Sequence, residues 1–138
     1  MTEAYARAHG IAVVRQFEVP SIIVRGNRRS LVQVCVNLFL NACQAMGDGG
    51  KTTLRCTITD RSIEPVSAVL EISDTGPGIP PEHLPKVFDP FFTTKTGGTG
   101  LGLPICLDLV TRHGGQLRLA SEPGHGTTAT ILLPLQPS

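Results

Sequence analysis

Three features are missing from this sequence, and each absence excludes a class of protein. Lys and Arg total 12 against 11 Asp and Glu, so the net charge of +1 gives no bulk positive field that would recruit nucleic acid or an anionic membrane. No apolar run approaches the roughly 20 residues that span a bilayer, and residues 1–10 lack the basic start and apolar middle of a signal peptide. The chain is therefore expected to be cytoplasmic without inserting into a membrane itself, although a parent protein could be membrane-anchored.

The cysteines show neither a CxxC motif nor the Cys/His spacing of a zinc site. They lie in apolar segments, as reduced core cysteines do, so we expect no zinc and no disulfide at Cys35, Cys43, Cys56 and Cys106. A chain of 138 residues that is 41% hydrophobic can bury one core. We expect a single domain over residues 1–138.

A helix is predicted over residues 27–46, begun by Asn27 as its N-cap. It is apolar on nearly every side except along one stripe of amides. The spacing of these amides, four, four and three residues, places them on one helical face: Gln33, Asn37, Asn41 and Gln44. Because buried amides need hydrogen-bond partners, the stripe indicates a site for a polar ligand or a hydrated metal.

Glycine and proline divide the rest of the chain into short elements. A second apolar helix is predicted over residues 101–113, where Pro104 is tolerated in the first turn and Gly114 ends the helix. Period-two alternation over residues 54–59 and 66–72 predicts two antiparallel strands. Further elements are expected as a short helix at 2–9, strands at 11–17, 21–24, 116–121 and 127–133, and a helical turn at 82–88.

Strand parity points to a second polar position. Asp74 shares the parity of Leu70 and Ile72, so its carboxylate should face the core side at the end of the strand. An unpaired buried carboxylate is costly. The glycines of the following turn have no side chain that would cover it, so a ligand donor such as an adenine amino group could be its partner. Thr127 has inward parity on the last strand, where its hydroxyl could support Asp74. The alternative is that both residues serve only turn and strand-end roles.

The glycine run GGTGLG at residues 97–102 leads into the second helix. Exposed amides at a helix N-terminus form a natural phosphate cradle, and Lys95 just upstream could reach phosphates as a mobile charge. The run is neither a P-loop nor a Rossmann fingerprint, because the P-loop lysine and the preceding strand are missing. Taken alone, it fits a flexible loop and an ordinary helix start equally well.

Together these segments resemble one family over almost the whole chain. LVQVCVNLFLNACQAM, DTGPGIP, VFDPFFTTK, GGTGLGLPI and GHGTT resemble, in order, the N, G1, F, G2 and G3 boxes of the catalytic ATP-binding domain of sensor histidine kinases. The sequences of the F and G2 boxes are similar to those of kinases of the nitrogen-regulation type. The resemblance implies the Bergerat fold shared with gyrase, Hsp90 chaperones and MutL. This fold is a two-layer α+β sandwich in which helices cover one face of a mixed, mainly antiparallel sheet, with a mobile ATP lid.

The resemblance also implies roles for individual positions. Asp74 would accept from the adenine amine, supported by Thr127, while Asn41 would ligate Mg²⁺ and Asn37 would help to hold the phosphates or the metal's water shell. Asn37 and Lys95 are the expected catalytic positions. The remaining ATP contacts would come from the turn after Asp74 and from the lid: Gly76, Gly78, Lys95, Gly98, Thr99, Gly100, Leu101 and Gly102. Phe88, Phe91 and Phe92 match the F box, with ordinary core packing as the alternative for at least one.

Asn37 distinguishes branches of this superfamily. Relatives that hydrolyse ATP usually carry a glutamate there, and an amide cannot act as a general base at neutral pH. The domain is therefore expected to position ATP for another nucleophile. None of the histidines at 9, 83, 113 and 125 lies on a long helix, and His113 is explained as a helix-end residue favourable to the dipole. The dimerisation domain with its phosphoacceptor histidine, and a sensor, are expected upstream of Met1, with a response regulator receiver as partner.

Other classes stay open on the sequence alone. A stand-alone ATPase or a serine-directed kinase of the same fold would need an acid near Asn37. A non-catalytic nucleotide-sensing module would keep the pocket and transfer nothing. If EISDTGPGI belonged to a methyltransferase, a helix would be required directly after the glycines, whereas Pro80 and Pro81 follow.

Overall fold

A computed structural model describes residues 6–18, 26–46, 49–59, 62, 66–89 and 102–135. Its elements, in chain order, are β1 (Ala12–Phe17), α1 (Arg28–Met46), β2 (Lys51–Ile58), β3 (Ser67–Asp74), a 3₁₀ turn (Leu84–Lys86), α2 (Gly102–Arg112), β4 (Gln116–Ser121) and β5 (Thr127–Pro134). These bounds agree with the predicted ones to within a few residues. Of the predicted helix at 2–9 only residues 6–8 are described as helical. The predicted strand at 21–24 lies outside the described residues.

The strands form one five-stranded sheet in the order β1-β2-β3-β5-β4. β1 and β2 are parallel, and α1 supplies the long crossover that a parallel pair requires. The β2–β3, β3–β5 and β4–β5 pairs are antiparallel. The expected mixed, mainly antiparallel α+β architecture is confirmed.

The core lies between the sheet and the two helices. From α1 it takes Val34, Leu38 and Ala42, which recur every four residues on one face, and from α2 it takes Cys106 and Val110. The sheet contributes Ile72, Leu117, Ala129 and Ile131. Phe88 packs against this cluster, which confirms the core-packing alternative for one F-box aromatic. Phe91 and Phe92 lie outside the described residues.

All four cysteines are free, as expected. Cys43 and Cys106 are fully buried and Cys35 and Cys56 are half-buried. Burial raises the pKa of each of these thiols. Cys43 and Cys106 are small apolar residues of the hydrophobic core.

Helix α1 is less enclosed than its composition suggested. Most sides of α1 are apolar, as the sequence shows, but only one face is buried, and Val32 on another side is 52% exposed. Its N-cap is confirmed, since the Asn27 Oδ1 accepts from the Ser30 N–H at 3.0 Å. Among the described helices, none is long and apolar enough to cross a bilayer.

His113 joins the end of α2 to the start of α1. Its Nε2 accepts from the Asn27 N–H at 3.0 Å, and its Nδ1 lies 2.7 Å from the Leu109 carbonyl oxygen. Both contacts are hydrogen bonds only in the neutral tautomer that carries the proton on Nδ1. His113 is therefore a helix-end residue, as expected, which bonds a carbonyl of the last turn of α2, and its link to Asn27 was not predicted.

Candidate functional site

Asp74 ends β3 with its carboxylate half-buried. Its Oδ1 accepts two backbone hydrogen bonds, from the Gly76 N–H at 2.9 Å and from the Thr127 N–H at 3.3 Å. Burial raises the pKa of Asp74, and these two N–H groups oppose the increase. Asp74, Gly76 and Thr127 meet here as predicted, but the prediction that the Thr127 hydroxyl supports Asp74 is wrong. Thr127 contacts the carboxylate through its backbone N–H, because its hydroxyl pairs with Ser121 at 2.9 Å.

Two glycines allow close contacts between backbone segments beside Asp74. Gly126 has a φ of +85°, and a Cβ there would overlap the carbonyl oxygen of Asp74. Gly78 has a φ of +79°, and its Cβ would overlap the carbonyl oxygen of Glu122. No other residue fits either position without strain. The turn after β3 and the β4–β5 turn are thereby held against each other beside Asp74.

The amide stripe divides into two outer and two inner positions. Gln33 and Gln44 are exposed, whereas Asn37 and Asn41 are half-buried. The outer amides therefore reach solvent, and only the inner two lie where a hydrogen-bonding partner is needed. Of the four amides in the predicted site, only Asn37 and Asn41 are therefore retained.

Helix α1 connects these inner amides to Asp74. A Cβ built on Gly76 would lie 3.4 Å from the Ala45 carbonyl oxygen, so the turn after Asp74 rests on the last turn of α1. Ala45, Asn41 and Asn37 follow one another at steps of four along one helical face, which covers about 12 Å at 1.5 Å per residue. At the far end, the Asn37 side chain lies beside the Cys106 thiol of α2. The site is thus an elongated row that runs from a carboxylate, past two amides, to α2.

Helix α2 begins at Gly102. Among the described residues, a Cβ on Gly102 would meet no atom within 4 Å, so local packing does not explain the glycine. Exposed amides at such a helix start suit an anion. The other predicted lid positions, Lys95, Gly98, Thr99, Gly100 and Leu101, lie outside the described residues.

Two polar residues beside Asp74 were missed by the sequence reasoning. Thr52 pairs with Asp74 across β2 and β3 and is fully buried. Its Oγ1 lies beside the Cys43 thiol, a weak partner at best, and makes no regular hydrogen bond to any described residue. Ser121 ends β4 and bonds three neighbours of the site. The parity that identified Asp74 would have found both, because Thr52 shares the parity of Leu54 and Ser121 shares that of Leu119.

Comparison with known proteins gives a consistent assignment. The profile of the histidine kinase-, DNA gyrase B- and HSP90-like ATPases matches residues 26–137. Sporulation kinase C of Bacillus subtilis strain 168 is 37% identical over 127 residues, which are 91% of this chain and 28% of that protein. The sensory histidine kinase/phosphatase NtrB of Rhizobium meliloti strain 1021 is 40% identical over an aligned length of 122 residues, and the match covers 80% of this chain and 32% of NtrB. The chain spans about a third or less of the length of these relatives.

Solved structures agree with the sequence relatives. The nucleotide-free catalytic domain of histidine kinase ThkA matches with a TM-score of 0.83 at 31% identity, over 98% of this chain and 87% of that domain. Full-length ShkA in complex with AMPPNP matches with a TM-score of 0.82 at 25% identity, over 98% of this chain and 28% of ShkA. The chain therefore belongs to the histidine kinase-, DNA gyrase B- and HSP90-like ATPase family, and its fold is that of the histidine kinase catalytic domains.

Proposed function

We propose that this chain is the catalytic ATP-binding domain of a sensor histidine kinase. It binds Mg-ATP and positions the γ-phosphate for transfer to a histidine on a separate dimerisation domain, from which the phosphoryl group passes to an aspartate of a response regulator receiver. The observation that carries the proposal is the row that runs from Asp74, at the end of β3, to Asn41 and Asn37 on α1. It offers an acceptor for a base at one end and amides for a metal and phosphates at the other.

The end of the row at Asp74 has the hydrogen-bonding chemistry that adenine requires. Asp74 is acceptor-only when ionised, and it is half-buried with a raised pKa, so a ligand N–H would relieve part of its desolvation cost. Thr52 adds a buried hydroxyl on the same side, which lies beside the Cys43 thiol and makes no regular hydrogen bond to any described residue. ShkA, which shares the fold, binds AMPPNP, and this supports an adenine nucleotide as the ligand here.

The metal end fits Mg²⁺, for which oxygen ligands and retained waters are typical. The Asn41 side-chain oxygen would ligate the ion, with Asn37 one turn earlier to hold its water or the phosphates. A bound Mg²⁺ would neutralise phosphate charge. The chain itself supplies the orientation, because both amides are fixed on one helix that packs against the sheet.

Asn37 supports transfer over hydrolysis. An amide cannot take a proton from an attacking water at neutral pH, so the site lacks a base at the position where the superfamily resemblance places the glutamate of ATPases. Phosphoryl transfer depends mainly on alignment and charge stabilisation, which the row along α1 can provide. A separate domain would then bring the nucleophile.

The histidines of this chain support an acceptor located elsewhere. His113 is used as a neutral link between α2 and Asn27, and His125 lies in the exposed β4–β5 turn. His83 lies directly before the short 3₁₀ turn and His9 in the turn before β1. None of these described positions is on a long helix that could present an imidazole to the γ-phosphate.

Calorimetric titration with ADP and AMPPNP, with and without Mg²⁺, tests the proposal, with S-adenosylmethionine as the control ligand. We expect magnesium-sensitive binding of the adenine nucleotides alone. Transfer is tested by adding the dimerisation domain of the same protein and following phosphate incorporation from ATP. Binding without transfer would favour a nucleotide-sensing module, steady hydrolysis would favour an ATPase of the same superfamily, and binding of the control alone would overturn the assignment.

A further inference from the structure

Ser121, the last residue of β4, lies at the centre of the hydrogen bonds around Asp74. Its Oγ accepts from the Ile79 N–H at 2.7 Å and donates to the Gly126 carbonyl oxygen at 3.0 Å. It also lies 2.9 Å from the Thr127 Oγ1. One hydroxyl therefore connects the turn after β3, the β4–β5 turn and the start of β5.

The direction of the proton between Ser121 and Thr127 follows from counting hydrogens. A serine hydroxyl has one hydrogen to donate and two lone pairs to accept. A carbonyl oxygen cannot donate, so the single hydrogen of Ser121 points to Gly126. Ser121 must then accept from both Ile79 and Thr127, which uses both of its lone pairs.

This arrangement fixes what Thr127 can offer to a ligand. Its only hydroxyl hydrogen points to Ser121, so toward the site Thr127 is an acceptor. Asp74 is also an acceptor when ionised, and its Oδ1 is held by the Thr127 N–H. Two neighbouring acceptors favour a ligand group that carries two hydrogens, such as an amino group, and disfavour a carbonyl oxygen in the same place.

We infer that Ser121 is a positioning residue that makes this site selective for the 6-amino group of adenine over the 6-oxo group of hypoxanthine or guanine. The inference rests on the proposed function. It goes beyond that function by assigning base selectivity to a residue that need not touch the base. Loss of Ser121 would free the Thr127 hydroxyl to rotate and donate, which would make a carbonyl acceptable.

The experiment compares the dissociation constants for ADP and IDP, which differ at position 6 and in the hydrogen at N1, in wild type and in Ser121→Ala. We expect wild type to prefer ADP, and Ser121→Ala to reduce the ADP-to-IDP preference by about fivefold or more, the equivalent of one net hydrogen bond. A merely structural role would weaken both ligands equally and leave the ratio unchanged. Thermal unfolding of each variant shows whether the fold is kept.

Ser73→Ala is the matched control. Ser73 and Thr128 form a hydroxyl pair of the same length, 2.9 Å, one residue along β3 and β5 and on the opposite side of the sheet. Its loss should leave the nucleotide ratio at the wild-type value. If Ser121→Ala does not fold, Ser121→Cys replaces it, since a thiol fills the space but is a weak donor and acceptor, and the same loss of preference is expected.

The outcomes separate this inference from the proposed function. Wild-type binding of ADP with an unchanged ratio in the folded Ser121 variant overturns the inference and leaves the proposed function intact. Equal wild-type affinity for ADP and IDP also overturns it. Absence of ADP binding by the folded wild-type domain would overturn the proposed function, and the inference with it.

Discussion

The two ends of the row along α1 are built in different ways. At Asp74 the structure relies on backbone: two N–H groups hold the carboxylate, and two close approaches at glycines fix the turns around it. At Asn37 and Asn41 it relies on side chains that project from one helix. The first end is specified by strand pairing and turns, the second by the position of α1 on the sheet.

This difference suggests that the Asp74 end recognises the base and that the α1 end aligns the metal and the phosphates. A base must be selected by donors and acceptors that are fixed in place, and backbone N–H groups fix the Asp74 carboxylate at little entropic cost because the sheet already orders them. A metal and phosphates need charge and oxygen ligands along a line, which side chains on a helix face can supply. Substitutions at the Asp74 end should therefore change which ligand binds, and substitutions at the α1 end should change how it is held.

The largest expected effect is at the Asp74 end. Asp74→Asn keeps an Oδ1 that can accept from Gly76 and Thr127, but it replaces the second oxygen with a donor that opposes the adenine amine. We expect ADP affinity to fall by about 100-fold or more, with the melting temperature unchanged or raised. Calorimetric titration and thermal unfolding measure the two effects. Retained ADP affinity would remove Asp74 from the site, and the contrast between the two ends of the row would then have no functional meaning.

The second effect concerns how α1 is anchored. His113→Ala removes the acceptor for the Asn27 N–H and the donor to Leu109, so the free energy of unfolding should fall by about 2 kcal/mol. Urea unfolding measures it, with His125→Ala as the control. His125 is exposed, and its loss should cost about 0.5 kcal/mol or less. Equal effects of the two substitutions would show that His113 does not anchor α1.

A third substitution tests the metal end. Asn41→Ala should reduce the apparent Mg²⁺ affinity of the nucleotide complex by about tenfold or more and leave ADP binding without Mg²⁺ nearly unchanged. Gln44→Ala is the matched control, because it removes an exposed amide from the same stripe. Magnesium titrations in the presence of AMPPNP provide the readout. A wild-type Mg²⁺ dependence in Asn41→Ala would contradict its ligand role.

The smallest effect is a pH dependence of stability. Because burial raises the pKa of Asp74, the ionised carboxylate destabilises the folded state at neutral pH. Wild type should therefore gain stability relative to Asp74→Asn as the pH falls through the raised pKa, and the gain should be complete below the ordinary value of 3.8. Urea unfolding of both proteins from neutral pH down to this value tests the sign. A constant difference would mean that burial of Asp74 carries no net cost.

Sequence patterns predicted some of the site well and some poorly, for identifiable reasons. Asp74 was found because strand parity and the following glycines are local signals. The exposure of Val32, Gln33 and Gln44 was not predicted, since composition does not say which face of a helix a sheet will cover. The link from His113 to Asn27 was not predicted, because the two residues lie 86 positions apart in the chain.

Local patterns in the chain were enough to specify the elements, the family and the face on which Asp74 lies. Capping at Asn27, four-residue periodicity in α1 and alternation in β3 each depend on neighbours in the chain. Tertiary packing was needed to place β5 between β3 and β4, which brings the Thr127 N–H to Asp74 across 53 residues and Ser121 to Ile79 across 42. Strand order depends on how the whole sheet buries its apolar face, so no local pattern specifies which polar groups meet at its edge.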